Sequence, residues 1–258
     1  MRRKNLLITT IGKIDCIPSW LGNQREFDVA LIYYPEEITD TIKKHLELNS
    51  DYLFFETGFK YTVLKKVLSE FAELRDYDFY WMPDDDVRME QGSVNMLFDF
   101  AKKYKLDLCQ PSTTKKNISW KIVRQNKKCE LRYTNYIEVM CPLFSKVALN
   151  LCLNSFSYTS SGWGLDFYWC SLIKEKIAII DRVKVHHTKK IELDGGALYK
   201  KLLQETGKEP HQELDEMIEK YDLDTVPKEI SRIYKRGGLI HYLYKTIFQK
   251  EIIFANNR

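Results

Sequence analysis

Asp78-Phe79-Tyr80-Trp81-Met82-Pro83-Asp84-Asp85-Asp86 decides how the rest of the chain is read. Residues 79–82 are bulky, apolar and rich in β-formers, which predicts a buried strand. Pro83 has no N–H to give to a ladder, so the strand is expected to stop there. Three carboxylates then follow a strand's carboxyl end, the place where open α/β sheets bind ligands. Like charges side by side repel, and a cation between them offsets that cost. On an extended segment the carboxylates of Asp84 and Asp86 point the same way, with Asp85 facing the other way toward a ribose hydroxyl or water. Hard cations such as Mg²⁺ or Mn²⁺ bind through one or two carboxylates plus substrate phosphates. Asp84 and Asp86 are therefore the candidate metal ligands. A solvated acidic turn is the competing reading, and the four bulky residues ahead of it argue against that.

Outward from this stretch, apolar runs alternate with helical periodicity. Residues 5–10, 28–34, 52–55, 106–111, 136–140 and 178–185 read as further strands. Residues 36–48, 61–74, 91–104, 146–153 and 165–174 read as helices. Residues 115–128 are basic and polar, a loop or hairpin near a sheet edge, and 155–164 read as a loop. Strand–helix alternation up to about residue 188 predicts an α/β fold. After Gly195-Gly196 the chain is charged and helical, which divides it into a domain over 1–196 and a helical C-terminal extension over 197–258 packed on it. In the last helix Ile240, Leu243, Tyr244, Ile247 and Phe248 form an apolar stripe with Lys245 and Lys250 off it. That stripe docks on the chain's own core, pairs with a partner or lies on an anionic membrane surface.

Composition narrows the classes. The 258 residues are 44% hydrophobic and 13% aromatic, ample for a large core, and the formal net charge of +4 is too mild to imply nucleic acid. The six cysteines have no short C-x2-4-C spacing, which argues against structural zinc and for reduced thiols in a cytoplasmic protein. Met1-Arg2-Arg3-Lys4 precedes an apolar run too short for a signal peptide, and no run approaches a membrane-spanning length.

Several other residues are candidates for chemistry. Gly12 follows the first strand and permits a tight turn where a nucleotide can be met. Lys60, after Gly58 at a helix start, can meet a diphosphate or be a solvated lysine. Glu138 lies among apolar residues and needs a partner, a substrate hydroxyl or a basic side chain. In Gly162-Trp163-Gly164-Leu165-Asp166, Trp163 offers a flat face to a sugar between two glycines that let backbone approach closely. Asp166 opens a helix, where the dipole favours a carboxylate and lowers its pKa; it is a cap or a catalytic group. His186 and His187 follow a strand, and only one of the two can face a metal site.

Together these motifs resemble a known group, the lysine-ketoglutarate reductase trans-splicing-related proteins. The resemblance covers roughly residues 5 to 200. It rests on Asn5-Leu6-Leu7, Trp20-Leu21, Phe27-Asp28 with Leu31-Ile32-Tyr33-Tyr34, and the aspartate stretch. It rests also on Ile137-Glu138-Val139-Met140 with Pro142 and Phe144, on Gly162 to Asp166, and on the segment ending in His187-Thr188. That group is similar to GT-A glycosyltransferases. The resemblance implies a single Rossmann-like, GT-A-like domain with a mostly parallel central sheet. It implies Asp84 and Asp86 on metal and nucleotide sugar and His187 (or His186) completing the metal shell; Asp85, Gly12 and Lys60 stand beside them as the candidates read from the residues for donor binding. Asp166 becomes the base, with Trp163, Gly164 and Glu138 on the acceptor. A reductase link is discounted, because no Gly-x-Gly-x-x-Gly follows a strand.

The expected function is a metal-dependent glycosyltransferase using Mn²⁺ or Mg²⁺. The donor is a nucleotide sugar, UDP-linked, and the acceptor a glycan or lipid-linked molecule. Surface-polysaccharide assembly at the inner membrane face is the expected setting, by analogy. A metal-dependent nucleotidyltransferase or phosphohydrolase using the same aspartates, and a non-catalytic sugar-binding module, are the alternatives.

Overall fold

The computed structural model describes residues 3–22, 24–114, 120–189 and 197–235. The chain begins with β1 (Asn5–Ile11), α1 (Ile17–Leu21), β2 (Phe27–Tyr33), α2 (Asp40–Asn49), β3 (Tyr52–Phe55) and α3 (Lys60–Glu70). There follow β4 (Phe79–Trp81), β5 (Val87–Met89), α4 (Ser93–Lys103), β6 (Leu108–Thr113), β7 (Cys129–Thr134), β8 (Leu143–Ser145) and α5 (Lys146–Cys152). Then come α6 (Leu165–Ile173), β9 (Ile177–His187), α7 (Ala197–Thr206), α8 (Pro210–Tyr221) and β10 (Glu229–Tyr234).

Ten strands form one sheet in the order β10-β7-β9-β6-β8-β4-β1-β2-β3, with β5 paired to β9 off that path. Strands β4, β1, β2 and β3 run parallel. β8 is antiparallel between β4 and β6, and β6 runs parallel to β9. β1 past Asn5 and the whole of β2 are buried, as their unbroken apolar runs predict for strands covered on both faces. Alternate side chains then sort into two layers. Leu6 and Ile8 meet Leu64 and Val67 of α3, Leu149 of α5 and Trp169 of α6. Leu7 points the other way, toward Trp20 of α1, Leu46 of α2 and Leu97 of α4.

The structure corrects the reading in three places. Residues 136–140 form no strand, because side chains take up their backbone groups. Thr134 Oγ1 accepts from the Tyr136 N–H at 3.2 Å, Gln110 Oε1 accepts from the Glu138 N–H, and the Val139 and Met140 carbonyls accept from Lys60. β7 was hidden by its charges, since Arg132 on it is buried only through its ion pair with Asp181 of β9. The tail is not wholly helical either. β10, a largely exposed edge strand with a weak apolar pattern, adds to the sheet beside β7. Gly195-Gly196 and the stripe from Ile240 to Phe248 lie outside the described residues. Among the described residues no helix is long and apolar enough to cross a membrane.

Candidate active site

The aspartates stand on a turn. The Val87 N–H donates to the Asp84 carbonyl at 3.2 Å, and the Asp84 N–H donates to the Met140 carbonyl at 2.8 Å. Pro83 ends β4, and three adjacent polar residues close the reversal that starts β5. The two-residue alternation of an extended segment is thereby lost, and the three carboxylates splay in three directions. Asp84 faces Lys60, whose ammonium lies 2.6 Å from Oδ1. The same ammonium donates to the Met82 carbonyl at 2.8 Å and reaches those of Val139 and Met140 at 3.2 and 3.3 Å. Lys60 thus ties the aspartate turn to the 139–140 segment.

Asp85 is buried. Its Oδ2 accepts from the N–H of Gly12 at 2.9 Å, the N–H of Lys13 at 3.1 Å and the Tyr34 hydroxyl at 3.3 Å. Burial and the Asp85 charge push the Tyr34 phenol well above its ordinary range. A Cβ at Gly12 would lie 2.3 Å from the Tyr34 ring, so glycine is what lets that tyrosine reach over the β1 end.

Asp86 is buried and pairs across to β9. Its Oδ1 stands 3.3 Å from His187 Nε2, and its Oδ2 stands 3.2 Å from Lys189 Nζ, which is also 3.8 Å from Asp85 Oδ1. Desolvation raises the Asp86 carboxyl, but His187 and Lys189 outweigh it and hold the pKa at about 2. On His187 desolvation acts downward, and the bond to Asp86 with the charges of Asp84 and Glu138 leaves the imidazole raised. β9 opposes β5 so that His187 pairs with Val87 and His186 with Arg88. His186 turns instead to Thr114, Nδ1 to Oγ1 at 3.0 Å. Beside Asp85 and Asp86 lies a cavity of about 210 Å³ whose wall carries Lys13, Arg88 and Lys189.

Among the described residues, no group of three or more His, Cys, Asp or Glu side chains converges as a metal cage. Asp86 and His187 present a carboxylate oxygen and an imidazole nitrogen side by side. Cis ligands of an octahedral ion at about 2.1 Å stand about 3 Å apart, close to the 3.3 Å between these two atoms. The pair therefore fits a site that substrate phosphates complete.

The second half of the site surrounds Asp166. Gly162 and Gly164 have φ of 84° and 86°, left-handed values that favour glycine, and Gly164 caps α6. Asp166 is buried, with Oδ2 accepting from the Tyr136 hydroxyl at 2.9 Å and Oδ1 from the Phe167 N–H at 2.9 Å. Desolvation raises its pKa to about 6 against the pull of Tyr136 and the helix-start N–H groups. The shift is opposite to the lowering expected from the helix dipole, because burial wins. Trp163 meets Tyr199 and His211 edge-to-face, with centroids 6.0 and 4.6 Å away. Tyr61 joins the two halves: it is buried, donates to the Val139 carbonyl, and its phenol is raised first by burial and then by the charges of Asp84 and Asp166. Buried Glu138 acts likewise on both His187 and Tyr136.

No protein family profile and no curated protein matches the chain. Solved structures do. TarS of S. aureus, residues 1–349 with UDP-GlcNAc, matches at TM-score 0.53 and 12% identity over 84% of this chain and 72% of that one. The same TarS fragment without ligand in its description gives 0.51 and 12% over 73% of this chain and 60% of that one. GalNAc-T7 with UDP, GalNAc and Mn²⁺ gives 0.59 and 11%, over 84% of this chain and 48% of that one.

The chain has the GT-A fold.

At these identities the likeness is one of fold, and the chain spans about half of GalNAc-T7. On this GT-A fold the structure brings Asp86 to His187, Asp85 to Gly12, and Asp84 to Lys60, while Trp163, Gly164 and Asp166 form a second group. Six residues of the site were not read from the sequence: Lys13, Tyr34, Tyr61, Arg88, Tyr136 and Lys189. Lys189 stands two positions past His187, and Tyr136 directly precedes Ile137-Glu138. Their positions were visible signals, but their directions depend on tertiary structure.

Proposed function

We propose that this chain is a metal-dependent, inverting glycosyltransferase that moves a sugar from a UDP-linked donor to a glycan or lipid-linked acceptor. One observation carries the reading. On a GT-A fold, the Asp86–His187 pair and the buried Asp166 flank Glu138, whose charge acts both on His187 and on Tyr136, the hydrogen-bond partner of Asp166. Similar folds have been seen with UDP-GlcNAc in TarS and with UDP, GalNAc and Mn²⁺ in GalNAc-T7.

In this reading Lys13, Arg88 and Lys189 face the donor diphosphate from the cavity wall. Asp86 and His187 would hold Mn²⁺ or Mg²⁺, and Asp84 reaches that ion only by leaving Lys60. When bound, the ion would offset charge on the departing diphosphate. Asp85 shapes the nucleotide side through Gly12 and Lys13. Asp166, oriented by Tyr136, takes the proton of an acceptor hydroxyl as that oxygen bonds to the anomeric carbon and the bond to the donor phosphate oxygen breaks. Trp163, Gly164 and Glu138 meet the acceptor. The basic, apolar C-terminal stretch of the sequence supports work at the cytoplasmic membrane face, in surface-polysaccharide assembly.

Thermal-shift screening of nucleotide sugars with and without Mn²⁺ tests the reading. The expected result is a stabilising donor that requires metal and no longer acts on Asp86→Asn. Absence of any metal-dependent shift would sink it. Release of nucleoside monophosphate or pyrophosphate without a glycosylated product would indicate attack at phosphorus instead.

A further inference from the structure

Glu213 lies on α8, far in sequence from the Asp166 loop, and is 7% exposed. Its two oxygens accept from consecutive backbone groups, the Ser160 N–H at 2.9 Å and the Ser161 N–H at 2.8 Å. A carboxylate on two neighbouring N–H groups fixes the direction of the chain as well as its position. One turn on from Glu213, Met217 lies on the same face of the helix. A Cβ at Gly164 would fall 2.9 Å from Met217 Cβ, so α8 lies directly on the start of α6. The Ser161 hydroxyl in turn accepts from the Trp163 N–H at 3.1 Å. The segment leading to Asp166 is therefore set by α8.

The helices α7 and α8 supply two rings. Tyr199 of α7 and His211 of α8 stand at 86° and 82° to the indole of Trp163. Trp163 and Tyr199 are half-buried and His211 is exposed, so the corner they make is open to solvent. Such a corner offers apolar faces to the C–H side of a sugar and polar tips to its hydroxyls.

We propose that α7 and α8 build a sugar-binding subsite on Trp163, an aromatic corner of Trp163, Tyr199 and His211 that Glu213 holds in place. Its ligand is a pyranose ring of the acceptor. That last assignment rests on the glycosyltransferase reading, whereas binding of a sugar at the corner does not. Glu213 is a positioning residue, and it acts on the ligand only through the loop.

Saturation-transfer NMR on the full chain tests this with methyl glycosides of glucose, galactose and N-acetylglucosamine as probes, and with UDP plus Mn²⁺ as the donor-side control. At least one glycoside is expected to bind, and its Kd to rise about tenfold or more in His211→Ala and in Glu213→Gln. UDP–Mn²⁺ binding should stay as in the unmodified chain. Hydrogen exchange at Ser160 and Ser161 should quicken in Glu213→Gln and not in His211→Ala. If Glu213→Gln fails to fold, His211→Ala decides, since it removes an exposed ring. Binding of none of the glycosides, or unchanged binding in His211→Ala, overturns the proposal. If UDP–Mn²⁺ does not bind while a glycoside does and is lost in His211→Ala, the glycosyltransferase reading fails and the subsite stands.

Discussion

The Asp166 carboxylate accepts from the Tyr136 hydroxyl at 2.9 Å, yet burial outweighs the downward pull of that bond and raises the pKa to about 6. An unfolded aspartate titrates near 3.9. The folded state thus holds this proton more tightly than the unfolded one. The stability that the protonated group contributes is present below about pH 4 and is lost as pH rises through about 6.

Asp166→Asn should therefore stabilise the protein at pH 7 while abolishing transfer. A shift of this size corresponds to at most about 3 kcal/mol. The gain should vanish near pH 4, where the native carboxyl is already neutral. Urea titrations of both proteins at pH 4 and pH 7 check this. Equal stability at both pH values would remove the buried-base assignment, as would a variant that keeps most of its transfer rate. With Asp166 as the base of the proposed transfer, kcat of the unmodified chain should fall below about pH 6 as that carboxylate becomes protonated.

Lys189 places its ammonium on Asp85 and Asp86, beside the Asp86–His187 pair. A resident cation repels a second one. Its side chain is half-exposed, so solvent screens much of that repulsion. Two unit charges about 4 Å apart in high dielectric repel by about 1 kcal/mol; a divalent ion doubles this, and screening by salt and solvent brings it back to about 1 kcal/mol, or roughly fivefold in affinity. Lys189→Met should then bind Mn²⁺ alone about fivefold more tightly by electron paramagnetic resonance. Weaker Mn²⁺ binding in the variant would mean that Lys189 supports the metal rather than opposing it.

Much of this architecture could be read in the sequence, for reasons specific to each segment. β1 and β2 are apolar runs buried on both faces, and β3 is a short aromatic run at the sheet edge; the break after each left little ambiguity. The failures share a cause: the deciding partner lies far along the chain. Residues 136–140 look like a strand until Gln110 and Lys60 take their backbone groups. Asp84 and Asp86 look parallel until the turn at Val87 is known. His187 could be told from His186 only through the β5–β9 register. Asp166 was found by its place before a helix, but the sign of its pKa shift needed the depth of its burial.

Gly164→Ala tests how tightly α8 sets the second half of the site. The residue sits at φ 86°, and its new Cβ would meet Met217 Cβ at 2.9 Å, a contact between main-chain-anchored atoms that cannot swing away. The left-handed conformation alone costs about 1–2 kcal/mol for a residue with a Cβ. Overpacking adds about 1–3 kcal/mol. A loss of about 2–4 kcal/mol is expected in denaturant unfolding. A loss under about 1 kcal/mol would show that the α8 contact yields easily.

Arg132 and Asp181 carry the far side of the sheet. Asp181 is fully buried, and the Arg132 guanidinium meets it from Nε at 2.7 Å and Nη2 at 3.1 Å. The same guanidinium donates to the carbonyls of Ile122 and Arg124, each at 2.8 Å, and so fixes the segment that follows Trp120. Trp120 in turn packs on Tyr136, the partner of Asp166, with centroids 5.5 Å apart. Arg132→Met leaves a buried carboxylate with no cation and should cost about 3–5 kcal/mol. Adding Asp181→Leu removes that stranded charge, so the double variant should recover a large part of the loss even though a second polar residue is gone. Transfer should remain impaired in the double variant, because the carbonyls of Ile122 and Arg124 still lack their donor and Trp120 is no longer held against Tyr136. A double variant as unstable as Arg132→Met would place the cost in those carbonyl contacts instead of in the charge of Asp181.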